Sequence, residues 1–164
     1  LGVLVQLNCG RRDELTIAGV RIARALESAP ALSAPRELGS IIIIAATDAP
    51  LLPHQLKRIA RRLTMGLART GSVSGNGSGD LFLAFSTANP PEVARGKERG
   101  GVTRVAMLRN SRMDPLFTAA VQAAEEAIVN AMVAAATMTG IDGRVITALP
   151  HDRIRALFAK RAAY

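Results

Sequence analysis

One junction constrains this chain more than any other feature. From Ser28 to Leu38 the sequence is polar and broken by Pro30 and Pro35, and then Gly39-Ser40 leads directly into Ile41-Ile42-Ile43-Ile44. Isoleucine is stiff at χ1 and packs well on a pleated surface, so the run favours a strand over a helix. Its unbroken apolar character predicts burial on both faces from Ser40 to Thr47. A rigid strand therefore begins at a serine, behind an exposed connector of the kind in which chain cleavage is tolerated.

Cutting the Gly39–Ser40 bond would place a nucleophile and a general base on one residue. A free α-amino group titrates near about 7.7 to 8.0, so close to neutral pH a useful fraction is unprotonated. It can take the proton of the adjacent hydroxyl, the pairing that otherwise needs a histidine. Gly39 leaves its carbonyl unshielded, so the Ser40 hydroxyl can attack it, form an ester and release the amine on hydrolysis. The residues alone thus point to a self-processed N-terminal-serine amidohydrolase.

A second stretch, Thr70-Gly71-Ser72-Val73-Ser74-Gly75-Asn76-Gly77-Ser78-Gly79-Asp80, mixes glycines with hydroxyls, an amide and a carboxylate. The glycines let the backbone come close to a ligand. A phosphate loop of the Walker type needs Gly-Lys-Ser/Thr opening a helix, whereas here Asp80 precedes the β-forming Leu81-Phe82-Leu83. The loop reads as the rim of a polar site.

The remaining elements follow from periodicity and punctuation. Leu1 to Leu7 reads as a buried strand ending at Asn8-Cys9-Gly10, and Leu15 to Ile22 as a second strand interrupted at Gly19. Pro53 opens a helix with Leu56, Ile59, Ala60, Leu63 and Leu67 on its apolar side and Lys57, Arg58, Arg61 and Arg62 opposite. Leu81 to Ser86 is a strand, and Val102 to Leu108 is expected to form an edge strand within an irregular excursion from Asn89 to Arg112. Asp114-Pro115 predicts a cap and first turn of an Ala-rich helix reaching about Thr139, stopped by Gly140. A last helix is expected from Pro150. Helix layers over packed sheets fit this order, with a parallel α/β fragment as the alternative.

Composition narrows the function classes. The chain has 164 residues, one domain's worth, and since it opens at Leu1 in an apolar run the polypeptide is expected to begin earlier. Net charge is +8, but the basic residues are dispersed and aromatics are only 3%, so no platform for stacking bases is expected. Uninterrupted apolar runs fall short of the roughly 20 residues of a membrane span, and no signal peptide is visible. Cys9 is the sole cysteine, which excludes an internal disulfide or a cysteine-rich zinc site. It reads as a small core residue, and His54 and His151 as solvent-facing or capping residues. No metal or other cofactor is expected.

Gly39 to Leu56 resembles the start of the small subunit of the β-aminopeptidase family, which includes the L-aminopeptidase/D-amidase-esterases. Gly71 to Asn89 matches the same family further along, and Leu1 to Arg12 is similar to the end of its large subunit. The resemblance implies an α+β fold, an αββα sandwich of two β-sheets between helix layers, Ntn-hydrolase-like but with different connectivity. It implies that residues 1–39 end the large subunit in an exposed linker and that 40–164 form the small catalytic subunit, together one domain. Ser40 would be the nucleophile with its own α-amine as base, Asn8 the oxyanion donor, Ser78 an orienting hydroxyl, and Asp80 an acidic position that some relatives fill with Glu. A site tyrosine and an acidic group for the substrate's amine, expected from the large subunit, have no match. The implied partners are the rest of the large subunit, a short peptide, amide or ester substrate, and further copies in a tetramer of two-subunit units, with no nucleic acid or membrane. Acyl transfer of the ornithine acetyltransferase type is the related alternative, though that branch carries Thr at the cut. A non-catalytic basic scaffold is the other.

Overall fold

The computed structural model describes residues 1–23, 39–89, 102–143 and 145–162. The connector between Ser28 and Leu38 lies outside the described residues. In chain order the strands are β1 (Gly2–Leu7), β2 (Thr16–Ile17), β3 (Val20–Arg21), β4 (Ile41–Thr47), β5 (Leu81–Ser86), β6 (Met138–Thr139) and β7 (Val145–Ile146). The helices are α1 (Pro53–Arg69), α2 (Asp114–Ala134) and α3 (His151–Ala162).

The isoleucine run forms β4, the centre of a three-stranded sheet ordered β1-β4-β5. β4 is antiparallel to β1 and parallel to β5. The sheet is therefore mixed, and the parallel-fragment alternative does not hold. Side chains alternate across a strand, which sends Ile41, Ile43 and Ala45 into the core with Ile59, Leu63 and Leu67 of α1 and Phe117, Ala120, Ala124 and Ile128 of α2.

Burial on both faces, predicted for β4, is not what the described residues show. Leu4, Ile42, Leu81, Leu83 and Phe85 on the opposite face are 40–69% exposed. The same alternation corrects the reading of β1 as a buried strand, because its residues are by turns half-buried and exposed. This apolar face is the one a second sheet covers in a four-layer sandwich. Four consecutive isoleucines are compatible with burial there, but the helices present here cover one side only.

Other expectations shift locally. Leu15 to Ile22 is a tight hairpin, β2-β3, whose turn residues Ala18 and Gly19 have φ of 47° and 74°, the pattern of a type I′ turn. Asp114 does not cap α2: the helix starts at Asp114 with Met113 before it and no side-chain cap. The helix also stops at Ala134, short of Thr139, because Met138 and Thr139 pair with Ile146 and Val145. Residues 102–108 form no strand. Their backbone is instead fastened by Leu108 N–H to Pro50 O at 2.7 Å and by the Asn89 side chain, which makes two hydrogen bonds to the Ala106 backbone. Gln55, fully buried in α1, accepts Leu52 N–H and donates to Leu108 O at 2.8 Å, joining the helix start to that segment.

The basic side of α1 is more than a solvated face, since Arg58 and Arg62 lie over the Phe117 ring at 4.8 and 3.4 Å from its centroid. α2 is long and apolar enough to cross a membrane by length and composition alone, yet its Phe117, Ala120, Ala124 and Ile128 stripe sits in the core. α1 and α2 approach closely at Gly66, where an added Cβ would lie 2.6 Å from the Ala124 Cβ and from the Val121 carbonyl oxygen. Arg69 pairs with the largely buried Glu125 at 2.5 Å, one helical turn along. Gly66→Val is therefore expected to force the helices apart and lower stability by about 1–3 kcal/mol, read from the urea midpoint of the full-length protein.

Candidate active site

The sheet register builds the site. The last β1–β4 pair is Leu7 with Ile41, and the first β4–β5 pair is Ile42 with Leu81. Extending each ladder toward the start of β4 brings Asn8, Ser40 and Gly79 into one row. The antiparallel ladder does continue, with Asn8 N–H donating to Ser40 O at 3.1 Å.

Two further hydrogen bonds hold Ser40. Its N–H donates to Asn8 Oδ1 at 2.8 Å, and its Oγ accepts the Gly79 N–H at 2.9 Å. The first bond settles the orientation of the Asn8 amide, because a backbone N–H can only donate and must face the oxygen. The Asn8 Nδ2 is thereby left as the donor end. By strand alternation Ser40 and Asn8 share the face of Gln6 and Ile42, where Gln6, Leu7, Asn8, Ser40, Ile41 and Ile42 line an open hollow of about 230 Å³.

Asp80 organises the start of β5. Its Oδ1 accepts the Ser78 hydroxyl at 2.6 Å and the Ile41 N–H at 3.1 Å, so one oxygen ties the glycine loop to the residue after Ser40. Burial alone would raise the Asp80 pKa. The hydroxyls of Ser74 and Ser78 and the Ile41 N–H outweigh it and hold the carboxyl below its usual 3.8. Ser74 has a left-handed conformation with φ of 50°, and Asp80 Oδ2 is shielded from solvent.

All four residues singled out in the sequence, Asn8, Ser40, Ser78 and Asp80, thus meet at one end of the sheet. Gly39 stands just before them, buried, where a Cβ would overlap the Asn8 carbonyl and fall 2.6 Å from Cys9 Cα. Its need for glycine is steric. Cys9, half-buried, packs against the core as expected. His54 is exposed. His151, at the start of α3, is half-buried with its Nε2 shielded. Neither histidine is hydrogen-bonded to Ser40. The sequence reading missed Gly79, and the visible signal was its place between two site residues in a glycine-rich loop. No cluster of three or more His, Cys, Asp or Glu suited to a metal occurs among the described residues.

A hydroxyl fixed at a strand start, an amide beside it and a carboxylate bonded to the next residue thus stand together at one end of an α+β scaffold. Residues 1–146 match the model of peptidase family S58, and the chain belongs to that family. It is 45% identical over 174 residues to a protein named beta-peptidyl aminopeptidase BapA from Sphingosinicella microcystinivorans, covering 98% of this chain and 43% of that protein. The namesake protein of Sphingosinicella xenopeptidilytica is 40% identical, with 98% and 42% covered. Among solved structures, the L-aminopeptidase D-Ala-esterase/amidase of Ochrobactrum anthropi, described as a prototype of the serine aminopeptidases and a new variant among the Ntn hydrolase fold, superposes with a TM-score of 0.82 at 37% identity. That match covers 98% of this chain and 48% of the other. The chain therefore spans less than half the length of these relatives, and its fold is part of that Ntn-hydrolase variant.

The depressed Asp80 pKa has a stability consequence with a definite sign. A carboxyl whose pKa is lower folded than unfolded adds stability above pH 3.8 and loses it as pH falls through the folded value. Asp80→Asn should cost stability at pH 6, and the deficit should shrink as pH is lowered toward 2. Urea midpoints across that range in the full-length protein check this.

Proposed function

We propose that this chain carries the cleavage site and catalytic serine of an autoprocessed aminopeptidase/amidase, which removes N-terminal residues from short peptides, amides or esters. The observation that carries the reading is the row of Asn8, Ser40 and Gly79, with Asp80 bridging Ser78 and Ile41. While the Gly39–Ser40 bond is closed, the Ser40 nitrogen is an amide with no basic lone pair. Opening it yields an amine beside Oγ, still next to Asn8 Oδ1, with the Asp80 carboxylate bonded to the N–H of the next residue, Ile41.

The chemistry follows in two halves. The Ser40 amine takes the hydroxyl proton as Oγ attacks the substrate carbonyl, and the proton passes to the departing nitrogen. Water then attacks the ester, and Oγ leaves with its electron pair and recovers a proton. Asn8 Nδ2 stabilises the oxyanion of each tetrahedral intermediate, where charge exists only in the transition state and its neighbours. Asp80 holds the loop and favours the protonated amine, tuning its basicity. The names of the relatives, aminopeptidases and an esterase/amidase, favour hydrolysis over acyl transfer.

The remaining large-subunit segment is the proposed partner for the bare sheet face, and the two-subunit unit is proposed to assemble as a tetramer. Denaturing mass spectrometry and N-terminal sequencing of the full-length product are expected to find a fragment beginning at Ser40. Ser40→Ala should remain one chain and hydrolyse no amino-acid p-nitroanilide; cleavage at that bond in the variant would overturn the reading. Asn8→Ala should lower kcat by about 10²–10³ with a smaller change in KM, measured on whatever mature enzyme forms.

A further inference from the structure

We infer that the backbone N–H of Gly79 is a catalytic group: it donates to Ser40 Oγ wherever that oxygen carries charge, most of all when Oγ leaves the acyl-enzyme. This rests on Ser40 being the nucleophile.

The geometry is specific. Gly79 N lies 2.9 Å from Ser40 Oγ, within normal hydrogen-bond range. The donor is pinned from both sides. Ser78 N–H bonds to the Gly75 carbonyl at 2.8 Å, Ser78 Oγ bonds to Asp80 Oδ1 at 2.6 Å, and Asp80 Oδ1 also binds Ile41 N–H. Residues 78–80 are thus locked to the strand that carries Ser40. The approach is close, since a Cβ on Gly79 would stand 3.2 Å from Ser40 Oγ and one of the two would have to shift by a few tenths of an ångström.

The bond changes what Oγ can do. With one lone pair occupied by Gly79 N–H, the hydroxyl proton must point elsewhere, which leaves it for the α-amine to take. A donor to a neutral hydroxyl is worth little net, whereas a donor to an alkoxide is charge-assisted and stronger. Its effect therefore falls on two moments: Oγ deprotonated for attack, and Oγ expelled from the ester. In the second, water adds to the ester carbonyl and gives a proton to the Ser40 amine. The C–Oγ bond then breaks with its electron pair going to Oγ, which regains that proton. The Asn8 amide serves the carbonyl oxygen, and the Gly79 N–H serves the other oxygen of the same intermediate. Opening of the Gly39–Ser40 bond uses the same Oγ charges and is expected to depend on the same donor.

The test deletes one hydrogen. Glycolic acid placed at position 79 of the full-length protein by nonsense suppression turns the N–H into an ester oxygen without adding a side chain. Self-cleavage at Ser40 and single-turnover hydrolysis of an amino-acid p-nitroanilide by the mature fraction should each slow by about 10- to 100-fold, with KM little changed. Glycolic acid at position 77 should behave as wild type. Wild-type rates with the ester at 79, or an equal loss with the ester at 77, would each overturn the assignment. Ser40→Ala run in parallel separates the two readings: activity surviving there removes the nucleophile itself, whereas an inactive Ser40→Ala beside a fully active ester at 79 removes only the role of Gly79.

Discussion

Strand pairing on both sides of β4 turns three remote stretches of sequence into one row of atoms. Asn8 directly follows β1, Ser40 directly precedes β4, and Gly79 with Asp80 directly precede β5. Side chains alternate with a period of two, so a slip of one residue in either ladder would send Asn8 or the loop to the wrong face. The slip is opposed by the core: Ile41, Ile43 and Ala45 fit among α1 and α2, and shifting them would bring Ile42 and Ile44 inward. Core packing and site geometry are set by the same register.

The polar bonds at the end of the sheet extend this logic from shape to charge. Ser40 N–H fixes which end of the Asn8 amide faces the hollow, and Gly79 N–H fixes Oγ. Asp80 accepts from both the loop and the strand through one oxygen and keeps the other shielded and unpartnered. Each of these groups is held by bonds within the fold itself, the preorganisation that the proposed reaction would use. The apolar sheet face that Ser40 and Asn8 share is still bare in the described residues, so their outward surroundings belong to whatever covers that face.

How much was legible varied with how local the cause was. Ile41 to Thr47 and Leu81 to Ser86 were readable as strands because β-branched and apolar runs act through their own backbone. α1 was readable from the spacing of Ile59, Leu63 and Leu67. The end of α2 was not, because the pairing of Met138 and Thr139 with residues eight and six positions later overrode a helix-compatible composition. The strand expected at 102–108 failed for a similar reason: its partners are Asn89 and Pro50, and neither supplies a strand edge. Arg58 and Arg62 looked like a solvated face until Phe117, more than fifty residues on, came under them.

By itself the sequence determined the chemistry on offer: a serine at the head of a rigid strand, a glycine before it, and a hydroxyl–glycine–carboxylate triplet opening another strand. These are local facts of residue type and order. Tertiary structure alone decided that Asn8 turns its amide oxygen to the Ser40 N–H, that Gly39 must lack a side chain because Asn8 and Cys9 press on it, and that Gly79 reaches the serine oxygen. Those outcomes depend on distances between residues some thirty to seventy positions apart, which only the pairing of β1, β4 and β5 brings within bonding range.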